Sequence, residues 1–117
     1  MRMWMVDPKM MCRQHLLGEH NEIHKHRHVF IKKYSIKNRV KSGNIQIEPE
    51  STQKRHDELA QEMLKRGYNH KSPYTQPDIS HLPDEQRKAK VDKDKSAIEL
   101  TTRCKKCWRR HASIHRS

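Results

Sequence analysis

Two carboxylates open the question of chemistry. Glu19 and Glu22 stand three residues apart in the stretch Gln14-His15-Leu16-Leu17-Gly18-Glu19-His20-Asn21-Glu22-Ile23, in a chain with 26 Lys and Arg against 14 Asp and Glu. On a helix, residues three apart are neighbours on one face, where like charges repel. Acidic residues are favourable in the first turns of a helix, near its positive end, and that accounts for Glu19. Glu22 lies further in, at least two turns along the helix from its start, where the dipole effect fades. Its neighbours are His15, Lys25 and His26, with Arg2 joining them if the N-terminus folds back. A carboxylate in a basic cleft is placed for general acid–base work or for stabilising a cation. Charge alone leaves open whether Glu22 does this or is an ordinary helix-face residue.

Metal chemistry has two candidate patterns. Cys104-x-x-Cys107 is followed by His111 and His115, and both halves have zinc-ligand spacing. Only three residues separate the halves, tighter than in the usual finger. Both cysteines also share an apolar stripe with Leu100 and Trp108, so the preferred reading is of small core fillers. A redox role for the pair would need a strand leading into it, and none is visible. His20, His24 and His28 recur at helical spacing, which suits a metal; the preferred reading is a polar helix face toward solvent or DNA.

The elements that position these residues follow from composition and periodicity. The chain has 117 residues, 32% of them hydrophobic and 34% charged, with a formal net charge of +12. That length predicts one small domain spanning residues 1–117, and a field of that sign attracts polyanions such as nucleic acid. No apolar run approaches the roughly 20 residues that span a bilayer. The N-terminus lacks a secretory h-region, and an odd count of three cysteines argues against a secreted disulfide framework. The expectation is a soluble, cytoplasmic nucleic-acid binder without membrane contact.

Periodicity predicts a first helix from near Cys12 to about Tyr34, carried by Leu16, Leu17, Ile23, Phe30, Ile31 and Tyr34. Ile45-Gln46-Ile47 reads as a very short strand or an extended pass. Ser51 is the predicted N-cap of a second helix, with Leu59, Ala60, Met63 and Leu64 buried and Gly67 as its stop. Residues 69–90, with Pro73, Pro77 and Pro83, read as a surface connection. A third helix is predicted from Asp92 or Asp94 to His111. The fold class is therefore all-α. Lys32, Lys33, Lys65, Arg66, Arg103, Lys105, Lys106 and Arg109 are candidates for phosphate contact.

Three motifs also carry a resemblance. Arg2, Gln14-His15-Leu16, Glu19 and Glu22 form the first. Glu58-Leu59-Ala60-Gln61-Glu62-Met63-Leu64-Lys65-Arg66-Gly67-Tyr68-Asn69 is the second, and Gln76-Pro77-Asp78-Ile79-Ser80 with Pro83 is the third. Standing in this order, they resemble the pyrimidine-dimer DNA glycosylase family, the phage endonuclease V type of UV-repair enzyme. The C-terminal third matches only in helical character.

The resemblance implies a compact domain of three main helices with an extended N-terminal segment threaded between them. It implies a glycosylase and AP lyase that acts without metal or organic cofactor, as a monomer, on double-stranded DNA carrying a pyrimidine dimer or abasic site. The family's nucleophile is the α-amine of the mature N-terminal residue, which attacks the deoxyribose C1′ to form a Schiff base. β-Elimination of the 3′ phosphate follows, supported by a glutamate of the first helix.

Matching that glutamate to Glu22 puts the adjacent arginine on Arg2 and the amine on Met1, which a bulky second residue keeps in place. An α-amine has an ordinary pKa of about 7.7–8.0, so a substantial fraction is nucleophilic near neutrality. By the same resemblance Arg2, Gln14, His15, Asn21 and Lys25 grip the lesion strand. Asn21 stands where the family commonly has arginine, and Lys25 keeps a charge but not a bidentate fork. Two rivals are a non-catalytic basic DNA-binding protein of the same fold and a zinc-stabilised nucleic-acid module.

Overall fold

The computed structural model describes residues 2–41, 43–70 and 73–114. The fold is mostly helical, with one two-stranded ribbon among the described residues. Helix α1 spans Arg13–Ile31. It follows the extended backbone of Cys12, and Lys33, in the left-handed region at φ 58°, ends it three residues before the expected Tyr34. Its buried residues are Leu16, Glu19, His20, Ile23, His26 and Phe30. Half of this face is polar, and of the predicted apolar stripe Leu16, Ile23 and Phe30 are buried while Ile31 and Tyr34 are exposed.

The ribbon pairs β1 (Val40–Lys41) with β2 (Asn44–Ile45), antiparallel, with Val40 opposite Ile45. The extended pass expected at Ile45–Ile47 is therefore paired in that ribbon only as far as Ile45. Beyond it, the Gln46 carbonyl accepts from the Met3 N–H at 2.7 Å.

Helix α2 spans Thr52–Lys65 after a 3₁₀ turn, Pro49–Ser51. Ser51 precedes it, but its side chain makes no capping hydrogen bond, contrary to the sequence reading. Gly67 does end the helix. At φ 83° it takes the left-handed backbone that favours glycine, and the Tyr68 N–H closes back on the Met63 carbonyl at 2.9 Å. Leu59, Ala60 and Met63 are buried as expected, whereas Leu64 is exposed. The inward face turns instead to Arg55, His56 and Glu62.

The connection over residues 69–90 is less superficial than expected. It buries Tyr74, Leu82 and Ala89 and contains a single helical turn, α3 (Asp84–Arg87). The expected third helix is two: α4 (Lys93–Arg103), capped by the Asp92 carboxylate, and α5 (Lys105–Ile114). Cys104 breaks them with an extended backbone, φ −127° and ψ 110°. The break resets the helical phase, so Leu100 and Cys107 are buried while Trp108 is 55% exposed rather than on the buried stripe.

The N-terminal segment threads between these helices. Met3 and Val6 are buried. The Trp4 carbonyl accepts from Ser96 Oγ of α4 at 2.6 Å, and the Val6 carbonyl accepts from Arg55 Nη1 of α2 at 2.7 Å. No helix among the described residues is long and apolar enough to cross a membrane.

The packing corrects the expectation for the histidines and regroups the cysteine pattern. The histidine face of α1 does not point to solvent or DNA at His20, which is buried against His56 of α2. Cys104 and Cys107 meet Cys12 and His15 across the fold, and His111 is not in that group. His115 lies outside the described residues.

Candidate active site

Glu19 and Glu22 separate cleanly once the fold is in place. Glu19 is 2% exposed and meets Arg55, itself 1% exposed, through two hydrogen bonds: Nε to Oε2 at 2.6 Å and Nη2 to Oε1 at 3.1 Å. Arg55 also donates to the Val6 carbonyl and contacts Glu58. Such a fork-to-carboxylate pair is geometrically specific. It fastens α1, α2 and the N-terminal segment together, and it gives Glu19 a structural role.

Glu22 sits differently. One oxygen, Oε1, lies 3.8 Å from Lys25 Nζ. The other, Oε2, is buried with no hydrogen-bond partner among the described residues. A buried carboxylate oxygen in that state is costly unless something complements it. It lines a cleft of about 350 Å³ with Arg2, Trp4, Gln14, His15, Gly18, Glu19 and Arg103. Gln14, Gly18 and Glu22 share one face of α1, so helical periodicity forms this wall.

Arg2 forms the opposite element. Its guanidinium lies 4.3 Å from the Trp4 ring centre, a cation–π contact, and its Nη1 donates to Glu99 Oε2 of α4 at 2.6 Å. Its Nε is buried without a partner among the described residues. A hydrogen bond from Arg2 holds the Glu99 carboxyl below its ordinary range. The cleft thus brings together a carboxylate oxygen and a guanidinium N–H that the described residues leave unmatched. Met1, the expected amine-bearing residue, lies outside the described residues and directly precedes Arg2.

His15 lines the same cleft, and burial lowers its pKa, so it is neutral near pH 7. Cys107 is no rival nucleophile: it is buried and does not line the cleft, and with no cation bound, burial pushes its thiol up to about 12. Burial, with the neighbouring His56, His24 and His70, lowers His20 to about 4.

Residues 1–76 match the family model described as pyrimidine dimer DNA glycosylase, well over half of the chain. The chain belongs to this family. No curated protein and no solved structure matches it. Family membership makes the protein a DNA glycosylase whose substrate is DNA. Arg2, Gln14, His15 and Glu22 lie inside the matched residues; Arg103, which completes the cleft, and Glu99, which holds Arg2, lie beyond them.

The remaining candidates spread out. Asn21, Lys25, Lys32, Lys33, Arg103, Lys105, Lys106 and Arg109 are exposed, as phosphate contacts require. Of these basic residues only Arg103 lines the cleft. Lys65 lines a separate groove with Asp7, Lys9 and Glu58. Arg66 is engaged internally: it pairs with Glu62 at 2.8 Å and donates to the Pro8 and Met11 carbonyls. Sequence reasoning missed Trp4, Arg55 and Glu99. Arg55 had a signal, since it stands four residues before Leu59 on the buried face of α2. Glu99 is 97 residues from Arg2 and carried no local signal.

Proposed function

We propose that this glycosylase excises UV-induced cyclobutane pyrimidine dimers and cleaves the resulting strand as an AP lyase, through a Schiff base on the Met1 α-amine. In this reading residues 1–117 act as one domain. The amine lone pair attacks the deoxyribose C1′, and the bond to the departing base breaks. The sugar ring opens to give an iminium. Loss of a C2′ proton then expels the 3′ phosphate, and water releases the amine.

Glu22 faces the positive charge that develops on the sugar and moves protons in the later steps. Arg2 lowers the proton affinity of the adjacent amine by like-charge repulsion. Gln14, His15, Asn21 and Lys25 hold the lesion strand. Reaching C1′ in a duplex requires extruding a nucleotide, and the cleft beside α1 receives the distorted strand. Exposed Lys32, Lys33, Arg103, Lys105, Lys106 and Arg109 are assigned to phosphates.

The observation that carries this reading is the buried Oε2 of Glu22, without a hydrogen-bond partner among the described residues, in the cleft it shares with Arg2. A cationic sugar supplies what that oxygen lacks. The test is Glu22→Gln, assayed on a dimer-bearing duplex. Strand cleavage should fall about 10²–10⁴-fold, the usual weight of a positioned acid–base group, with duplex affinity changed little. Unchanged cleavage would remove Glu22 from the chemistry and favour a non-catalytic DNA binder.

A further inference from the structure

The family reading uses no metal, yet two clusters of metal-ligating side chains lie outside the glycosylase chemistry. The first joins the start of α1 to the break between α4 and α5. We propose that Cys12, His15, Cys104 and Cys107 form a closed, structural zinc site. Cys12 Sγ lies 3.8 Å from Cys104 Sγ and 3.2 Å from His15 Nδ1, and Cys107 Sγ lies 3.5 Å from the same nitrogen. A tetrahedral ion with ordinary zinc bond lengths has edges of about 3.8 Å between sulfurs and about 3.5 Å between sulfur and imidazole nitrogen. All four donor atoms lie within 4.8 Å of one another.

The competing explanations account for less. Core filling explains the burial of Cys12 and Cys107 but not the convergence of donors from segments more than 90 residues apart. A disulfide requires sulfurs about 2.05 Å apart, and all three cysteines are free. Backbone N–H groups already face the sulfurs, from Cys12 to Cys107 Sγ at 3.2 Å and from Cys107 to Cys104 Sγ at 3.5 Å. Outer hydrogen bonds of this kind orient and stabilise thiolate ligands. Three thiolates and one imidazole select zinc, and four protein ligands make a site without an open position for catalysis. The zinc ties residues beyond the family match to the wall of the cleft. With Nδ1 bound, the His15 ring carries its proton on Nε2, fixing it as a donor.

The second cluster rests on a separate observation. His20 Nε2 lies 3.1 Å from His56 Nε2 and 2.9 Å from His70 Nε2, and His56 Nε2 lies 3.1 Å from His24 Nε2. Each ring nitrogen carries either one proton or one lone pair. His20 Nε2 and His56 Nε2 each face two others, so at most two of these three contacts are linear hydrogen bonds. His20, His56 and His70 bring their ligand nitrogens within 4.8 Å of one another, and a cation accepting those three lone pairs removes the conflict. The Asp57 carboxylate lies 3.1 Å from His56 Nδ1, the usual partner of a ligating imidazole. We infer that His20, His56 and His70 bind a second divalent transition ion, with zinc as the probe.

One preparation tests both. The full chain is reduced, loaded with zinc and desalted, and zinc is counted before and after a thiol-directed mercurial. Two zinc ions per chain are expected, one released by the mercurial and one retained. No mercurial-released zinc overturns the cysteine site. No retained zinc overturns the histidine site. Two variants keep the answer independent of unfolding by the mercurial. His70→Gln, at a partly exposed position, should cut retained zinc at least tenfold and leave the released ion unchanged. Cobalt(II) in place of zinc should give thiolate charge-transfer absorption in the near ultraviolet that Cys104→Ser loses while retaining the second ion. Absence of that band in the wild-type protein contradicts the cysteine site. Neither readout depends on strand cleavage, so failure of the metal sites and failure of the lyase mechanism are distinguishable.

Discussion

At the scale of single residues, the acidic pair in α1 is divided by burial and partners. Glu19 has a buried bidentate partner in Arg55, and Glu22 has a buried oxygen with none among the described residues. Removing one member of a buried ion pair leaves the other charged and desolvated. Glu19→Leu should therefore destabilise the protein by about 3–5 kcal/mol, measured by chemical denaturation. A loss below about 1 kcal/mol would mean that water reaches Arg55 and that the pair does not organise the fold. The split was half legible in the sequence. Glu19 read as structural from its place near the helix start, but its actual reason, Arg55, lay 36 residues away. Pairwise partners at that distance leave no periodic trace. The cysteines show the same limit: the spacing of Cys104 and Cys107 was visible, while Cys12 and His15 join them only through the fold.

At the scale of elements, local rules did well where local physics decides. Gly67 ends α2 because only the chain's own backbone is involved, and the first helix forms where its spacing placed it, although Ile31 and Tyr34 of the predicted stripe are exposed. They failed where tertiary contact decides. The break at Cys104 has no glycine or proline to announce it, so one helix was read where there are two, and Trp108 was assigned to the wrong face.

The contact between the N-terminal segment and α4 gives a prediction with a definite sign. A hydrogen bond from Arg2 holds Glu99 below its ordinary value of 4.5. The folded state then binds fewer protons than the unfolded state in this range. The stability that Glu99 contributes is present above about pH 4.5 and is lost as pH falls through the lowered value. Glu99→Gln should thus melt below the wild type at pH 6–7, and the gap should close as pH falls below 4.5. A gap that stays constant across that interval would show that the pair does not tie the segment down.

At the scale of the molecule, the net charge of +12 and the exposed Lys32, Lys33, Arg103, Lys105, Lys106 and Arg109 set the expectation for binding. Duplex affinity should fall steeply with salt, with a log–log slope of about −0.9 for each phosphate neutralised. Lys32→Ala/Lys33→Ala should make that slope shallower by one to two contacts without altering the preference for damaged DNA. An unchanged slope would place the phosphates on another face. The basic balance was plain from composition; what composition does not reveal is that Arg66 is engaged inside and that Lys65 lies on a separate groove.

The central claim is that the amine of Met1, beside Arg2 and served by Glu22, is the nucleophile. The most direct measurement is borohydride trapping on an abasic-site duplex, followed by mass mapping of the cross-linked peptide. A reduced DNA adduct on the α-amine of a retained Met1 is expected. An adduct on a lysine, or no adduct from protein whose Met1 amine is free, would contradict it.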